Sequence, residues 1–219
     1  MLIDDYVTEL DRALSGPSGP KRDLVVEARD SLADTADAFE AEGLDRAAAE
    51  QLAVAEFGRI REIAPGYQAE LTAVAGQRLG RLLFVSVPVT VLMWSAIWRF
   101  QPGGVDAHAA WAARPSWFAF VSHALDLVQL ATGLYGGLAL LALSRAARWI
   151  SGPRLVTRSL GMIVWVVLPV TAALGLLLSQ DSMLPAGFAP AALANLVTYA
   201  FAGLQLYGAT RCLRLTRRA

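Results

Sequence analysis

The sequence contains few of the residues from which catalytic and metal sites are built. Its 219 residues include one cysteine and two histidines. A single cysteine excludes a disulfide bond within the chain and is typical of a reducing cytoplasm. The Walker, His-Glu-x-x-His and Gly-x-Ser-x-Gly motifs are absent as well. The sequence therefore predicts a protein that is not an enzyme and that has no cofactor and no metal site.

Charged residues are also nearly absent from four long stretches in the second half of the chain. Their approximate bounds are 82–98, 117–143, 159–180 and 189–210. Each stretch is long enough to cross the ~30 Å hydrocarbon core of a bilayer as a helix. His123 and Asp126 are the only histidine, acidic or basic side chains within them. We therefore predict an all-α protein with a transmembrane bundle of four helices.

The arginines that flank these stretches predict how the bundle is oriented. Four follow the second stretch and four follow the fourth, with no acidic residue among them: Arg145, Arg148, Arg154, Arg158, Arg211, Arg214, Arg217 and Arg218. An excess of arginine marks cytoplasmic loops. We therefore expect a multi-pass protein of the cytoplasmic membrane with both termini in the cytoplasm. Trp94, Trp98, Trp111 and Trp117 would then form an aromatic belt at the outer surface.

The two halves of the chain carry opposite charge. Residues 1–81 contain 16 acidic and nine basic residues, a net charge of −7, whereas residues 82–219 contain three acidic and ten basic residues, a net charge of +7. We expect a small acidic helical domain over residues 1–75 and a transmembrane domain over residues 76–219. Phosphates would repel the acidic domain, so we expect no direct binding to nucleic acid. A basic protein is its complementary partner.

Hydrophobic spacing predicts helices throughout residues 1–81. The second helix has an apolar stripe that would face a core, formed by Leu24, Ala28, Leu32, Thr35 and Phe39. Its remaining surface carries the candidate partner-binding residues, which are Glu27, Asp30, Asp34 and Asp37. Asp45 is placed to cap the third helix, and Gly58 is placed to end it in the left-handed conformation. Pro65-Gly66 predicts a break in the helix that follows.

Residues 1–70 resemble a known family in the order of these features. The residues that carry the resemblance are Tyr6, Leu10, Gly43, Ala48, Phe57, Gly58, Ile63 and Ala64. They look like the HAAS domain, the α-helical signalling domain associated with helix-turn-helix regulators, and like the related permease prefix domain. The resemblance implies a signalling role beside PadR-like transcription factors or ABC-type permeases, in front of transmembrane helices.

The membrane half contains an internal similarity. The segment 79–90 matches 160–171, with its glycine and its proline eight residues apart in both, and the segment 126–131 lines up with 195–200. The offsets are 81 and 69 residues. They indicate a tandem duplication of a two-span hairpin, with both copies in the same orientation. Chance similarity among stretches rich in Leu, Val and Ala is the alternative.

Polar residues within the spans are candidates for function. The duplication makes Asp126 and Asn195 equivalent, and the cost of a carboxylate in lipid predicts that Asp126 faces the bundle interior. His123 lies one turn away on the same face. Asp126 and His123 together would form a proton-responsive pair or half of an ion path. The alternative, which we favour, is a hydrogen bond that holds helices together.

Prolines and glycines in the spans predict details of packing. Pro88 and Pro169 should kink the first and third spans. Gly133 and Gly137 form a Gly-x-x-x-Gly pair at which a neighbouring helix approaches closely. We expect this approach inside the bundle rather than in a dimer.

These features favour an integral membrane regulatory protein. Its acidic domain would bind a partner such as a PadR-like transcription regulator, and its bundle would anchor it in the bilayer. The alternative is an accessory or membrane subunit of an ABC-type or other transport system. A passive scaffold is a third possibility, and homo-oligomers are compatible with all three.

Overall fold

The protein is all-α within the residues that the computed structural model describes, which are 2–99, 115–145, 153–180 and 189–218. The seven helices in these ranges are α1 (Leu2–Ala13), α2 (Ser18–Ala41), α3 (Arg46–Phe57), α4 (Ile60–Arg99), α5 (Ser116–Arg145), α6 (Pro153–Gln180) and α7 (Ala189–Arg218). The predicted fold class is therefore confirmed. Trp111 and Arg148, on which the predicted orientation partly depends, lie outside the described residues.

Helices α1, α2 and α3 pack with the start of α4 around one hydrophobic cluster, which we call the amino-terminal core. Its fully buried side chains are Leu10, Ala28, Leu32, Ala36, Ala49, Ala53 and Leu71. The three from α2 are spaced four residues apart, which places them on one face of the helix. Leu24, Ala28, Leu32 and Phe39 of the stripe predicted for α2 thus face this core, which contains Ala36 instead of the predicted Thr35.

Tyr6 connects α1 to the end of α3. Its ring meets that of Phe57 edge-on, with 5.9 Å between the centroids. Its hydroxyl donates a hydrogen bond to the carbonyl of Gly58 at 2.8 Å. Gly58 has φ +102° and ψ 173°, a region that is essentially restricted to glycine. The glycine therefore ends α3 with a positive φ, as expected, but with an extended ψ instead of the left-handed helical value.

Polar side chains cap the start of α3 and connect its first half to α1. The carboxylate of Asp45 accepts the N–H of Ala48 at 2.9 Å, which confirms the predicted cap. Glu50 accepts the N–H of Leu2 at 2.9 Å and pairs with Arg46 at 3.2 Å. Burial alone would raise the pKa of Glu50, but these partners outweigh burial and hold that pKa below its ordinary value of 4.5.

Helix α4 runs without a break from Ile60 to Arg99. The predicted break at Pro65-Gly66 is therefore wrong. Pro65 removes only one backbone hydrogen bond near the start of the helix. Ala64 and Tyr67, on either side of it, pack against the amino-terminal core and hold the helix in place.

Helices α4 to α7 form a bundle, and each is long and apolar enough to cross a membrane. Helix α4 packs against the other three. The largest buried side chains of this bundle core are Leu79, Leu83, Leu143, Leu160, Val164 and Leu215. Many leucines face outward instead, such as Leu92 and Leu138 at 69% and 65% exposure. A bundle with an apolar outer surface is suited to a lipid environment.

Glycines allow α4 and α5 to approach closely. A Cβ atom on Gly80 would lie 2.9 Å from the carbonyl oxygen of Gly136. A Cβ atom on Gly136 would lie 2.7 Å from the Cβ of Leu83. Both distances are shorter than real Cβ contacts, so the backbones meet here only because neither residue has a side chain.

The predicted pair Gly133 and Gly137 faces the same neighbour. A Cβ atom on Gly133 would lie 3.3 Å from Val87, and one on Gly137 would lie 2.8 Å from Phe84. Both glycines therefore contribute to packing inside the bundle. Gly136, which sequence reasoning did not single out, makes the backbone approach.

The hairpins α4–α5 and α6–α7 share two local features. Thr90 and Thr171 each donate to the carbonyls three and four residues earlier, at 2.9 Å for the first and 3.0 Å for the second. Pro88 and Pro169, two residues before these threonines, are both exposed on the outside of the bundle. Bending at the prolines and the tandem duplication stay predictions.

Substitution of Gly80 by alanine should destabilise the bundle. The added methyl group has to push the backbone of α5 away, at a cost of about 1–3 kcal/mol. Gly175→Ala is the control, because nothing lies within 4 Å of a Cβ atom there. Thermal unfolding in detergent measures the difference. Equal midpoints for the two variants would contradict the close approach.

Glu50 should make the stability of the amino-terminal core depend on pH. A carboxyl group whose folded-state pKa is depressed stabilises the fold above its ordinary pKa of 4.5, and this contribution is lost as the pH falls through the folded-state value. Glu50→Gln should therefore unfold at a lower temperature than the native chain at pH 7. The gap should close below pH 4.5. Glu56→Gln, at an exposed position of α3, should show no such gap at either pH.

Candidate functional site

Helix α4 joins the two cores without a spacer. Leu71 belongs to the amino-terminal core, and Ala73 belongs to the bundle core. The residues between and around them are buried on nearly every side, since Leu71 and Thr72 are both 0% exposed. A displacement of α4 in the bundle therefore moves atoms of the amino-terminal core as well.

Gln68 of α4 holds the linker between α1 and α2. Its side-chain oxygen accepts the N–H of Ser15 at 2.9 Å, and its side-chain nitrogen donates to the carbonyl of the same residue at 2.7 Å. The side-chain amide of Gln68 thus pairs with both the N–H and the carbonyl of Ser15. The neighbouring Gly16 lies against Leu71, with 3.0 Å from a Cβ atom there to the leucine side chain.

Helices α6 and α7 contact this junction too. Arg211 of α7 donates a hydrogen bond to the carbonyl of Gly16 at 2.8 Å. Thr157 of α6 donates to the carbonyl of Thr72 at 3.2 Å. Three of the four long helices therefore reach the α1–α2 linker or the segment of α4 that supports it. We call residues Ser15, Gly16, Gln68, Thr72, Thr157 and Arg211 the junction.

An acidic surface lies beside the junction. Asp23, Glu27, Asp30 and Asp34 of α2 are all exposed and follow one another at three- and four-residue spacings, so they share one side of the helix. Val26, which is 49% exposed, lies next to them.

Helix α4 contributes to the same surface. A groove of about 250 Å³ between α2 and α4 is lined by Asp23, Glu27 and Glu70, with Leu24, Leu71 and Val74 as its apolar part. We call Asp23, Glu27, Asp30, Asp34 and Glu70 the acidic face. Burial and the charges of Glu27 and Glu70 raise the pKa of the nearby Tyr67.

The acidic face differs from the predicted partner-binding set in two ways. One predicted residue does not belong to it, and two residues that were not predicted do. Asp37 is engaged elsewhere, because it pairs with Arg46 at 2.6 Å. Asp23 and Glu70 belong to the face although sequence reasoning did not single them out. Asp23 could have been found from its four-residue spacing to Glu27. Glu70 could not, because only the packing of α4 on α2 brings it there.

The intramembrane residues are not arranged as expected. We predicted that Asp126 faces the bundle interior, but Asp126 and His123 are both exposed on the outside of α5. The prediction is wrong because the glycines of α5 determine which side of the helix meets α4, and the two helices do not enclose the Asp126 side chain. A carboxylate that faces lipid costs on the order of 3 kcal/mol.

Asn195 does not pair with Asp126 either. It is exposed on α7, and its side chain donates to the carbonyl of Ala191 in its own helix at 3.1 Å. Other polar side chains connect the helices. Trp94 donates to Thr198 at 3.2 Å, and Gln205 donates to Ser86 at 2.8 Å.

The described part of the chain shows no group of three or more His, Cys, Asp and Glu side chains that could hold a metal ion. Comparisons with family models, with curated proteins and with solved structures found no match to this chain. The candidate functional site is therefore defined by its own geometry. It consists of the acidic face and the junction that connects this face to the membrane helices.

Loss of the Gln68 side chain should loosen the α1–α2 linker. Gln68→Ala removes both hydrogen bonds to Ser15, which should lower local stability by about 1–3 kcal/mol. Hydrogen–deuterium exchange of the full chain in nanodiscs should show faster exchange for residues 15–18. Gln51→Ala, at an exposed glutamine of α3, is the control. Unchanged exchange in the Gln68 variant would show that the linker does not depend on this side chain.

Proposed function

We propose that this chain is a regulatory protein of the cytoplasmic membrane that binds a basic protein partner through its acidic face. The observation that supports this proposal is the set of five carboxylates of the acidic face, three of which, Asp23, Glu27 and Glu70, line the groove between α2 and α4. Within the described residues none of the five forms an ion pair. Acidic side chains left unpaired beside an apolar groove suit a partner with basic and apolar side chains.

The orientation of the chain belongs to the same proposal. The arginines of the connection between α5 and α6, and those at the end of α7, favour a cytoplasmic location for that end of the bundle. The junction and the acidic face lie at this end, because Arg211 contacts Gly16. The acidic face would then be open to cytoplasmic proteins.

The resemblance of residues 1–70 to the HAAS domain favours a PadR-like transcription regulator as the partner. Proteins that bind DNA carry a basic surface, which complements the acidic face. A regulator held at the membrane in this way is kept away from DNA. Release of the regulator would then be the signalling event.

The junction supplies a route from the bilayer to the partner. Leu71 and Val74 of α4 form one side of the groove, and Leu24 of α2 forms the other. Rotation or translation of α4 within the bundle would change the distance between these two sides. Because α6 and α7 also contact the junction, the packing of three membrane helices would determine the shape of the groove.

A subunit of an ABC-type or other transport system is the alternative partner. The same acidic face would then bind an ATPase or a permease subunit. The bundle would act as an accessory membrane component.

Charge reversal of the acidic face should weaken partner binding. The variant carries Glu27→Lys, Asp30→Lys and Asp34→Lys in the full chain, reconstituted in nanodiscs. The control carries Asp5→Lys, Glu9→Lys and Glu56→Lys, which change the net charge equally at exposed positions outside the acidic face. Binding to a purified PadR-like regulator from the same organism should fall on the order of tenfold for the first variant only.

The possible outcomes separate the proposals. Equal weakening in both variants would show that net charge alone attracts the regulator and would contradict a defined face. No binding by the native chain would contradict the proposed partner. Binding of an ATPase or permease subunit that only the first variant loses would favour the transport alternative.

A further inference from the structure

The exposed side of α5 carries two polar side chains at membrane depth. Asp126 lies about 15 Å along the helix from Ser116, well inside the predicted span. His123 is one turn closer to the start of the helix, and both side chains are exposed. Neither forms a hydrogen bond or ion pair with any other described residue. An imidazole and a carboxylate facing lipid together are an unfavourable arrangement unless something covers them.

The same side of α5 has a seven-residue repeat. Phe120, Leu127, Leu134 and Leu141 are exposed at 77%, 68%, 57% and 54%. Leu130, three residues after Leu127, is 57% exposed. His123 likewise lies three residues after Phe120, and Asp126 directly precedes Leu127. Apolar residues at alternating three- and four-residue spacing form the seam of a left-handed helix pair.

This seam is not used inside the chain. The packing of α5 on α4 uses Gly133, Gly136 and Gly137 together with Ala139 and Leu143. Gly137 would be the next seam position after Leu134, so the alternation of three- and four-residue spacings runs from Phe120 to Leu134. The seam residues lie on the other side of the helix, where nothing in the described part of the chain covers them. The inward side of α5 is thus complete, and the outward side is available for a second helix.

We propose that two copies of this chain form a dimer through the seam of α5, around a two-fold axis along the membrane normal. Copies inserted in the same direction place their α5 helices parallel, so equal residues meet at equal depth. His123 of one copy then differs in height from Asp126 of the other by only about 4.5 Å. The two-fold axis repeats this pairing, so both carboxylates gain a donor.

Charge complementarity indicates that the helix packed against the seam belongs to a second copy of this chain. One face carries both the donor, His123, and the acceptor, Asp126, so it is complementary to itself. Asp126 lies beside the seam rather than within it, and the two carboxylates of a dimer therefore lie on opposite sides of the axis. The dimer does not depend on the partner bound by the acidic face.

Cysteine cross-linking in native membranes tests the proposal. Leu127→Cys places a thiol on the seam, and Leu196→Cys places one at a leucine of α7 that is 65% exposed. The native chain serves as background, because Cys212 is only 1% exposed. A short bifunctional maleimide should give a product of twice the chain mass with Leu127→Cys and none with Leu196→Cys. Equal products, or a heavier product with another protein, would overturn the proposal.

A second measurement tests the polar pair itself. Asp126→Ala should raise the dissociation constant of the dimer in detergent by about tenfold, measured by sedimentation. His123→Ala should have a similar effect, whereas Asn195→Ala, at an exposed polar residue of α7, should have none. Circular dichroism confirms that each variant remains helical. An unchanged dissociation constant for Asp126→Ala would overturn the role of the pair.

Discussion

Helix α4 contributes side chains to both hydrophobic cores, and the arrangement of the other six helices depends on this. Leu71 completes the amino-terminal core, and Ala75 and Leu79, about one and two turns later, belong to the bundle core. Nothing flexible separates them. The amino-terminal helices therefore have a fixed orientation relative to the bundle, and the acidic face inherits that orientation. This is why a surface on a small domain can respond to the packing of membrane helices.

Several polar side chains inside the bundle form hydrogen bonds with a neighbouring helix. Interior contacts such as Tyr135 with Ser159 at 2.7 Å, and Gln77 with the carbonyl of Leu143 at 2.9 Å, leave each group with a partner. Such contacts fix the register between neighbouring helices, since an unpaired polar group in lipid is costly. The exposed carboxylate of Asp126 differs from all of these. It fits the arrangement only when a second chain supplies the missing partner.

Sequence reasoning predicted those features that depend on local chemistry. Apolar stretches and helical spacing predicted the all-α fold and the four long apolar helices, and Asp45 and Gly58 marked the ends of α3, because caps and glycine conformations act within a few residues. The break at Pro65 was predicted wrongly, since tertiary packing of Ala64 and Tyr67 compensates for one lost hydrogen bond. Local chemistry also did not predict which side of a membrane helix faces the bundle interior. The contact of Gly136 with α4 determines which side of α5 faces inward. The cost of placing the Asp126 carboxylate in lipid does not predict that side.

The hydrogen bond from Arg211 to Gly16 joins residues that are 195 positions apart in the chain. At about 5–20 residues per second, a ribosome needs roughly 10–40 s to synthesise the segment between them. The helices of the amino-terminal core can pack during that interval, but the carbonyl of Gly16 receives this donor only after α7 has been made and inserted. The contact to Gly16 therefore distinguishes a chain that contains α7 from one that lacks it. Gln68 of α4 can hold Ser15 before α7 is inserted, and Arg211 adds the contact to Gly16 last.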